Sequence, residues 1–402
     1  MHRPFPSAFL TPALLALAAF APPAAAGTWP EGERNAPALT PAAEGQTRAP
    51  QIDSGKDLEV ATLAGGLENP WGIAVLPGGG YLVTERPGRL NHVSAAGEVR
   101  EIAGVPEVHA EGQGGLLDVA LAEDFATSRA IHLTYSKPLG DGLSATAAAR
   151  AVLSEDFSAL SEVAEIFVQD PPSPSPMHYG SRIVPVAGHV FITTGEHFTP
   201  EERVNAQDVT KTYGKVVRLM ADGSVPADNP FAGEGGAAAQ VWTLGHRNVQ
   251  GAAVRPGSGQ LWTLEHGPMG GDELNLSVPG TNYGWPEVSY GLNYDGTPVG
   301  TGQAHGEGFA EPVYFWDPVI APGGFLFYEG AMFADWQGDI LAASLTPGGL
   351  VRLTLEGDRV TGEERFLYGE GRIRDVAVDR DGAVLLLVDD ADGKLLRITP
   401  GE

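Results

Sequence analysis

Residues 373–400, IRDVAVDRDGAVLLLVDDADGKLLRITP, contain three apolar runs separated by turns rich in aspartate and glycine. Alternation of apolar and polar residues indicates β-strands, and Asp-Gly pairs between such runs are typical of tight turns that join antiparallel strands. This order of strand, turn, strand, turn and strand returns six times, and no copy contains a long amphipathic helix. Clear copies are WGIAVLPGGGYLVTERPGRLNHV (71–93), GGLLDVALAEDFATSRAIHLTYSK (114–137) and SRIVPVAGHVFITTGEH (181–197).

The repetition is the strongest indication of the fold. Copies spaced by roughly 45–70 residues, each long enough for about four strands, are typical of β-propeller blades. A pair of β-sandwich domains would explain the strands but not their sixfold repetition. The sequence therefore predicts an all-β, six-bladed β-propeller of four-stranded antiparallel blades, in which loops from distant parts of the chain meet at one end of a central channel.

The N-terminal segment differs from the repeats in composition. Residues 1–26 have a short charged start, an apolar run too short to cross a bilayer and small residues near the end, which predicts a signal peptide; a disordered Ala/Pro-rich terminus is the alternative. Residues 27–56 are rich in Pro, Ala, Gly and charge and predict a flexible linker, which leaves 57–402 for the propeller. No later segment is apolar enough for a transmembrane helix, so we expect a periplasmic or secreted protein without membrane insertion.

Composition and missing motifs exclude several classes of function. The chain has no cysteine, and its 51 acidic against 25 basic residues give a formal net charge of -26. Disulfides, thiolate metal sites and cysteine nucleophiles are therefore absent, and the charge disfavours nucleic acid and anionic membranes as partners. GxSxG, GxGxxG before a helix, P-loop and HExxH motifs are also missing, which leaves serine hydrolysis, nicotinamide binding, phosphoryl transfer and zincin chemistry without a signal.

Three loops that precede predicted strands carry polar residues suited to a binding site. His178 lies in SPMHYGSR (175–182), where a histidine is either a solvated capping residue or a base. Arg247 and Asn248 lie in LGHRNVQG (244–251) and would suit a polyoxygenated anion or form an ordinary loop salt bridge. Gln113 precedes the first strand of the second repeat and could bind a ligand oxygen or a neighbouring backbone group.

Two further segments suggest charged ligands. Arg372 and Arg374 alternate at the start of a strand and so point to one face, where an anion or a nearby carboxylate must separate them. In LEHGPMGGDELN (264–275), the Gly267-Pro268 turn can expose carbonyls while Asp272 and Glu273 supply carboxylate oxygens, which favours Ca²⁺ over a transition metal. A merely solvated acidic loop is the alternative.

An ordered series of motifs resembles the soluble pyrroloquinoline quinone (PQQ)-dependent aldose sugar dehydrogenases, relatives of soluble quinoprotein glucose dehydrogenase. The motifs are NPWGIAVLPGGGYLVTERPGRL, GQGGLLDVAL, GKVVRL, GHRNVQG, EHGPMGGDELN, NYGWP and GRIRDV. They run in order from about Leu67 to Thr399. The resemblance implies a six-bladed propeller with the quinone above the channel, in agreement with the repeat count.

The resemblance also implies roles for individual residues. His178 would be the general base that takes the proton from the sugar C1 hydroxyl while hydride passes to the quinone C5, with Arg247 as the second catalytic residue. The implied cofactor-binding residues are Gln113, Arg247, Asn248, Tyr294, Ser344, Leu345, Thr346, Arg372, Ile373 and Arg374. Carbonyls of Gly267 and Pro268 would hold the active-site Ca²⁺, and Glu273 and Tyr283 match a further calcium position. The substrate would be an aldose; the electron acceptor and the choice between monomer and homodimer stay open.

The sequence departs from the family pattern at three positions. Thr346 stands where relatives carry a lysine that reaches the cofactor, Met269 replaces a common arginine, and Ser181 replaces a glycine. The loss of the lysine keeps one alternative open, a non-enzymatic ligand- or partner-binding propeller without PQQ. A Ca²⁺-dependent lactonase-type hydrolase is the other alternative.

Overall fold

The structure is a computed structural model that describes residues 24–25 and 28–401. Its strands form six antiparallel sheets, which confirms the predicted six-bladed β-propeller. Blade 1 contains β3 (Pro70–Val75), β4 (Tyr81–Glu85), β5 (Arg89–Val93) and β6 (Val99–Ile102), and blade 2 contains β7 (Leu116–Leu121), β8 (Ala130–Pro138), β9 (Ser144–Leu153) and β10 (Leu160–Val168). Blade 3 contains β11 (Ile183–Val186), β12 (His189–Thr193), β13 (Lys215–Met220) and β14 (Val241–Leu244), and blade 4 contains β15 (Val249–Val254), β16 (Leu261–Glu265), β17 (Asp272–Leu276) and β18 (Tyr314–Trp316).

The last two blades complete the ring. Blade 5 contains β19 (Pro322–Phe327), β20 (Ile340–Ser344), β21 (Gly349–Glu356) and β22 (Arg359–Phe366), and blade 6 contains β23 (Ile373–Val378), β24 (Val384–Val388), β25 (Gly393–Pro400) and β2 (Asp57–Leu67). The helices are short: α1 (Phe125–Ser128), α2 (Pro200–Arg203) and 3₁₀ turns at Val204–Gln207, Ala232–Glu234, Ala238–Gln240 and Ala334–Trp336.

The N-terminal strand closes the propeller. β2 pairs with β25, so that Leu58 lies opposite Pro400 and Leu67 opposite Gly393. The first strands of the six blades contact one another in order, and β23 of the last blade contacts β3 of the first. The first and last long strands of the propeller thus share one sheet, which ties the ring together without a disulfide.

Apolar side chains fill the space between neighbouring blades. One buried cluster joins blades 1 and 2 through residues such as Leu82, Leu90 and Leu133, and another joins blades 4 and 5 through Trp262 and Phe325. Each blade lies between two neighbouring sheets, so its inner strands bury both faces, as the almost wholly buried β24 shows. No helix among the described residues is long and apolar enough to cross a membrane.

The central channel contains a buried ion network. Arg182, directly before β11, places Nη1 2.9 Å from Asp118 Oδ1 and 3.0 Å from Asp375 Oδ2. The guanidinium also lies 4.5 Å from the ring centre of Trp71. A Cβ at Gly324 would lie 1.8 Å from Asp375 Oδ1, so only glycine fits beside this network. The network connects the first strands of blades 2, 3 and 6.

The segment predicted as a flexible linker, 27–56, contacts the outside of the propeller from Trp29 to Gln51. The buried carboxylate of Asp317 accepts hydrogen bonds from the Asn35 amide (2.7 Å) and the Ala36 amide (3.0 Å), and the Ala49 amide donates to the Tyr314 hydroxyl (2.9 Å). The predicted signal peptide, 1–26, lies outside the described residues except for β1 (Ala24–Ala25), which pairs with β2.

Candidate active site

The predicted site residues meet at one end of the channel. Gln113, His178 and Arg247 lie in the loops that lead into the first strands β7, β11 and β15, and Arg372 directly precedes β23. First strands of adjacent blades begin at the same end, which we call the top face. Turns between second and third strands return to this face because the strands are antiparallel. They carry Gly267-Pro268 and Leu345-Thr346.

The largest group of these residues lines a cavity of about 320 Å³, which we call the arginine cavity. It brings together Gln113, Leu345, Arg372 and Arg374 as the sequence predicts. Arg86, Asp389 and His266 also line it and were not predicted as site residues. Six predicted cofactor residues lie outside its walls: Arg247, Asn248, Tyr294, Ser344, Thr346 and Ile373. Of the last three, Ser344 is buried with its hydroxyl on the Ile320 carbonyl (2.8 Å), Ile373 is buried in the core, and Thr346 is exposed.

The wall of the arginine cavity contains three arginines, Arg86, Arg372 and Arg374, and two carboxylates, Asp389 and Asp390, so cations are in excess. Arg374 places Nη2 2.5 Å from Asp389 Oδ2, while Arg372 and Arg86 lie 3.9 and 4.0 Å from the same carboxylate. The sequence leaves open whether a carboxylate lies near Arg372 and Arg374. In the structure this carboxylate is Asp389, and three guanidinium groups share it. Buried Arg86 Nε has no hydrogen-bond partner among the described residues. A ligand with several carboxylates fits this arrangement.

His178 is buried beside the arginine cavity and has a carboxylate partner. Its Nδ1 lies 3.3 Å from Glu196 Oε2, and its backbone amide donates to Gln113 Oε1 at 3.0 Å. Burial lowers the pKa of His178; Glu196 opposes this shift and Arg247 adds to it. Burial alone would raise the pKa of Glu196, but His178 and Arg247 outweigh that effect and hold it below its usual range.

These shifts define the protonation of the pair at neutral pH. An ionised Glu196 can only accept a hydrogen bond, so Nδ1 of the neutral imidazole carries the proton. Nε2 then carries the lone pair, and it has no hydrogen-bond partner among the residues that the structure describes. The imidazole is therefore prepared to accept a proton at Nε2.

The loop that carries His178 has an unusual backbone. His178 and Ser181 have φ values of +48° and +83°, which non-glycine residues rarely adopt. The loop also packs tightly on the next turn, since a Cβ at Gly195 would lie 1.9 Å from the His178 carbonyl oxygen. Ser181 is buried and its hydroxyl donates to the Tyr179 carbonyl at 3.1 Å. The serine at the glycine position is thus accommodated without exposing the loop.

Arg247 and Asn248 hold neighbouring loops. Arg247 Nη1 donates to the carbonyls of His266 (3.1 Å) and Gly267 (2.7 Å), and Nη2 donates to the Tyr294 hydroxyl (3.3 Å). No carboxylate lies within salt-bridge distance of this guanidinium in the described part of the chain, so the loop salt bridge considered from the sequence is wrong. Asn248 Oδ1 accepts the Gly180 amide at 3.0 Å, next to His178.

The predicted calcium residues share a small cavity of about 10 Å³. Gly267, Pro268, Glu273 and Tyr283 line it together with Glu265. Burial and the charge of Glu265 raise the pKa of Glu273 well above its usual range, because two buried carboxyl groups lie close together. Carbonyl and carboxylate oxygens are the donors that Ca²⁺ prefers, so the residues fit this ion.

One predicted oxygen ligand is wrong. The Asp272 carboxylate does not line the small cavity, because it accepts the backbone amides of Gly267 (2.7 Å), Ile320 (2.8 Å) and Ala321 (2.7 Å). These bonds fix the Gly267-Pro268 turn against blade 5. The described residues also contain no group of three or more His, Cys, Asp or Glu arranged around a metal position, so carbonyl oxygens must supply part of any cation site.

Tyr294, predicted to contact the cofactor, lies outside the arginine cavity. It lines a second cavity of about 340 Å³ together with Phe198, Arg203, Arg247 and Trp285, which we call the aromatic cavity. The Phe198 ring contacts the His178 ring edge to face, with the ring centres 5.1 Å apart. The two cavities therefore lie on either side of the His178 and Arg247 region.

Sequence reasoning missed Arg86, Glu196 and Asp389, and all three could have been found by one rule. Each lies in a turn between the second and third strands of its blade. These turns reach the top face in every blade, so charged residues in TERPGR, TGEHF and VDDADG were candidates by position alone.

Comparison with known proteins places the chain among sugar dehydrogenases. The sequence model of the Glucose / Sorbosone dehydrogenase family matches residues 67–397. The chain is 42% identical to aldose sugar dehydrogenase YliI of Escherichia coli (strain K12) over 350 residues, 85% of this chain and 93% of that protein. The apo form of the soluble aldose sugar dehydrogenase of Escherichia coli superposes with a TM-score of 0.81 at 40% identity, covering 86% of this chain and 100% of that one. A PQQ-bound aldose sugar dehydrogenase from Streptomyces coelicolor superposes with a TM-score of 0.72 at 29% identity, covering 88% and 100%.

Proposed function

This chain belongs to the glucose/sorbosone dehydrogenase family, and from that premise we propose that it oxidises aldose sugars at C1 to the lactone with PQQ and Ca²⁺. The observation that carries the proposal is the arginine cavity beside a buried, neutral His178. A polycarboxylate seat next to a proton acceptor is the combination that a quinone-dependent alcohol oxidation requires.

The arginines of the arginine cavity would hold the carboxylates of PQQ. Arg86, Arg372 and Arg374 outnumber the two carboxylates in the cavity wall, Asp389 and Asp390, and the solved Streptomyces coelicolor relative supports PQQ as the ligand. Gln113, Arg247 and Asn248 would hold its other oxygens. When bound, PQQ supplies the quinone C5 that accepts the hydride from the sugar C1. Thr346 removes one cation, but three guanidinium groups remain.

His178 would act as the general base. Nε2 accepts the proton of the C1 hydroxyl, and the resulting imidazolium is stabilised by Glu196 at Nδ1. Gln113 and Asn248 orient the imidazole, because one accepts the His178 amide and the other accepts the Gly180 amide in the same loop. Arg247 raises the local positive potential and so keeps the base neutral before the reaction.

Ca²⁺ would bind where carbonyl oxygens and buried carboxylates coincide. Gly267 and Pro268 would hold the active-site ion, and Glu273 with Tyr283 would hold a further one. A divalent cation there stabilises negative charge that develops on bound oxygens. It also compensates the buried Glu265 and Glu273 pair.

We place the reaction in the periplasm or outside the cell, with residues 1–26 as a signal peptide and 57–402 as the catalytic domain. The acidic surface fits a small-molecule aldose and does not fit nucleic acid. The electron acceptor and the choice between monomer and homodimer are for experiment.

The test is reconstitution followed by removal of the base. Apo-protein mixed with PQQ and Ca²⁺ should reduce a dye with aldose sugars and should change the visible spectrum of the quinone. His178→Ala should bind PQQ yet lower kcat by about 100-fold or more, because general bases contribute about 10²–10⁴-fold. Absence of any PQQ binding would instead favour the non-enzymatic propeller, and lactone hydrolysis without quinone would favour the hydrolase.

A further inference from the structure

The aromatic cavity lies next to His178, and of its lining residues only Arg247 and Pro268 have a role in the reaction described above. Phe198 forms its wall on the His178 side, and Tyr294 lies opposite with the ring centres 6.2 Å apart. Phe198 and Tyr294 are 41% and 63% exposed, whereas aromatic side chains in folded proteins are usually more buried. Apolar ring faces at a polar cavity are typical of sites for sugar rings and other amphipathic ligands.

Two arginines in this cavity have no carboxylate partner. Arg203 makes one side-chain hydrogen bond, from Nη1 to the neutral amide oxygen of Asn293 at 2.9 Å. Arg247 binds carbonyls and the Tyr294 hydroxyl, and its buried Nε has no partner. Neither guanidinium lies within 4.0 Å of a carboxylate among the described residues, although the chain has 51 acidic residues.

The cavity wall contains one carboxylate, Asp295, and it lies more than 4.0 Å from both guanidinium groups. Asp295 Oδ1 accepts the Thr297 amide (3.0 Å) and the Thr297 hydroxyl (2.6 Å). The guanidinium groups of Arg203 and Arg247 instead lie against the Trp285 ring, 5.7 and 5.3 Å from its centre. These two cations are held by aromatic and neutral groups, which leaves their charge available to an anion from outside.

We propose that the aromatic cavity is a subsite for an aldose that carries a carboxylate, a hexuronate, with the carboxylate on Arg203 and the sugar ring against Phe198 and Tyr294. The assignment rests on the proposed function for the reaction at His178, and it adds the substrate class. The net charge of -26 does not prevent this binding, because solvent-exposed charges are screened beyond about 8 Å at physiological ionic strength, whereas a contact pair is not.

A binding experiment tests the subsite without turnover. Methyl β-D-glucuronide and methyl β-D-glucoside have the same ring and differ at C6, and neither can be oxidised because C1 is blocked. We expect wild-type protein, without cofactor, to bind the glucuronide at least 10-fold more tightly by calorimetry or ligand-observed NMR. Arg203→Gln should abolish that preference, and Arg203→Lys should keep part of it, since a lysine retains the charge but not the planar fork.

The control variant is Arg380→Gln. Arg380 is exposed in the turn after β23, at the opposite end of the channel, so its removal changes the net charge equally and should leave the preference intact. Equal binding of the two glycosides, or a preference that survives Arg203→Gln in folded protein, would overturn the proposal. If Arg203→Gln does not fold, Tyr294→Ala, an exposed position, should weaken binding of both glycosides; unchanged binding would overturn the ring placement.

Two further experiments distinguish a hexuronate subsite from a phosphate site and from the proposed reaction. Methyl glucoside 6-phosphate distinguishes the anions: an Arg203-dependent gain for the phosphate and none for the glucuronide would show that the assignment to hexuronates is wrong. In protein loaded with PQQ and Ca²⁺, the ratio of kcat/KM for glucuronate to that for glucose should fall at least 10-fold in Arg203→Gln. A retained binding preference without any turnover would support the subsite while contradicting the proposed function.

Discussion

The channel and the top face each contain a buried arginine-aspartate network, and the two differ in completeness. In the channel, Arg182 lies between two carboxylates, Asp118 and Asp375, and each carboxylate also accepts a backbone amide. In the arginine cavity, Arg86, Arg372 and Arg374 lie within 4.0 Å of Asp389, and the exposed Asp390 is the second carboxylate in the wall. The channel network has an excess of acid, whereas the cavity has an excess of base.

The channel network stabilises the fold, whereas the arginine cavity is suited to bind a ligand. The channel network connects three first strands and lies deep in the protein, where Arg182 is held by Asp118, Asp375 and the Gln250 carbonyl, while its Nη2 has no hydrogen-bond partner among the described residues. The cavity opens to solvent at the top face, and its surplus of cations is stable there because water and counterions reach it. Buried ion pairs hold a specific arrangement of strands, while an unbalanced set at a cavity marks a place for a ligand of opposite charge.

The largest effect is expected from removing the cation of the channel. Arg182→Met leaves Asp118 and Asp375 buried and facing each other, so the free energy of unfolding should fall by about 3–5 kcal/mol, the usual cost of an unpaired buried charge. Chemical denaturation at pH 7 measures the change. The triple variant Arg182→Met, Asp118→Asn, Asp375→Asn has no charge in the network and should recover most of the loss. A small change in the single variant would mean that the network contributes little to the fold.

The pH dependence of stability should report the excess acid in the channel. Burial raises the pKa of Asp118 from 3.8 to about 6, against the attraction of Arg182 and with a further increase from Asp375. The folded state therefore favours protonated Asp118, and this stabilisation is complete below about pH 4 and is lost as the pH rises through 6. The contribution is up to about 3 kcal/mol.

The variant Asp118→Asn isolates that contribution. It cannot titrate, so its free energy of unfolding should fall less than that of wild type between pH 4 and pH 6. Asp141→Asn, at an exposed position, should keep the wild-type slope. Equal slopes in Asp118→Asn and wild type would show that Asp118 is ionised throughout this range.

The repeated strand pattern made most of the fold predictable. Position before a first strand made part of the site predictable. The alternation in segments such as 373–400 gave the strands, and the place of His178, Arg247 and Arg372 before first strands brought them to one face. The partners Asp389 and Glu196 were not predicted because no local pattern links them to residues far away in the chain. Their position in turns between second and third strands was the only indication in the sequence that they lie at the top face.

The N-terminal segment shows a different limit. Its contacts from Trp29 to Gln51 depend on main-chain amides that donate to Asp317 and Tyr314. Any residue can supply an amide, so composition contains no record of such bonds. Asp272 is a similar case, since a carboxylate that accepts three amides looks the same in the sequence as one that binds a cation.

The smallest expected effect on stability comes from Arg372, the half-exposed arginine of the arginine cavity. It tests the contrast between this cavity and the channel network directly. Arg372 lies 3.9 Å from Asp389 with its side chain 53% exposed, so Arg372→Gln should change the free energy of unfolding by less than about 0.5 kcal/mol. Affinity for PQQ should nevertheless fall about 10-fold, about 1.4 kcal/mol, because one charge-assisted contact to a carboxylate is lost. A titration followed by visible absorbance measures this, with Arg380→Gln as the charge-matched control. If Arg372→Gln bound PQQ as tightly as wild type, the surplus of cations at the top face would serve another ligand, and the contrast with the channel network, whose carboxylates outnumber its cation, would have to be explained without the cofactor.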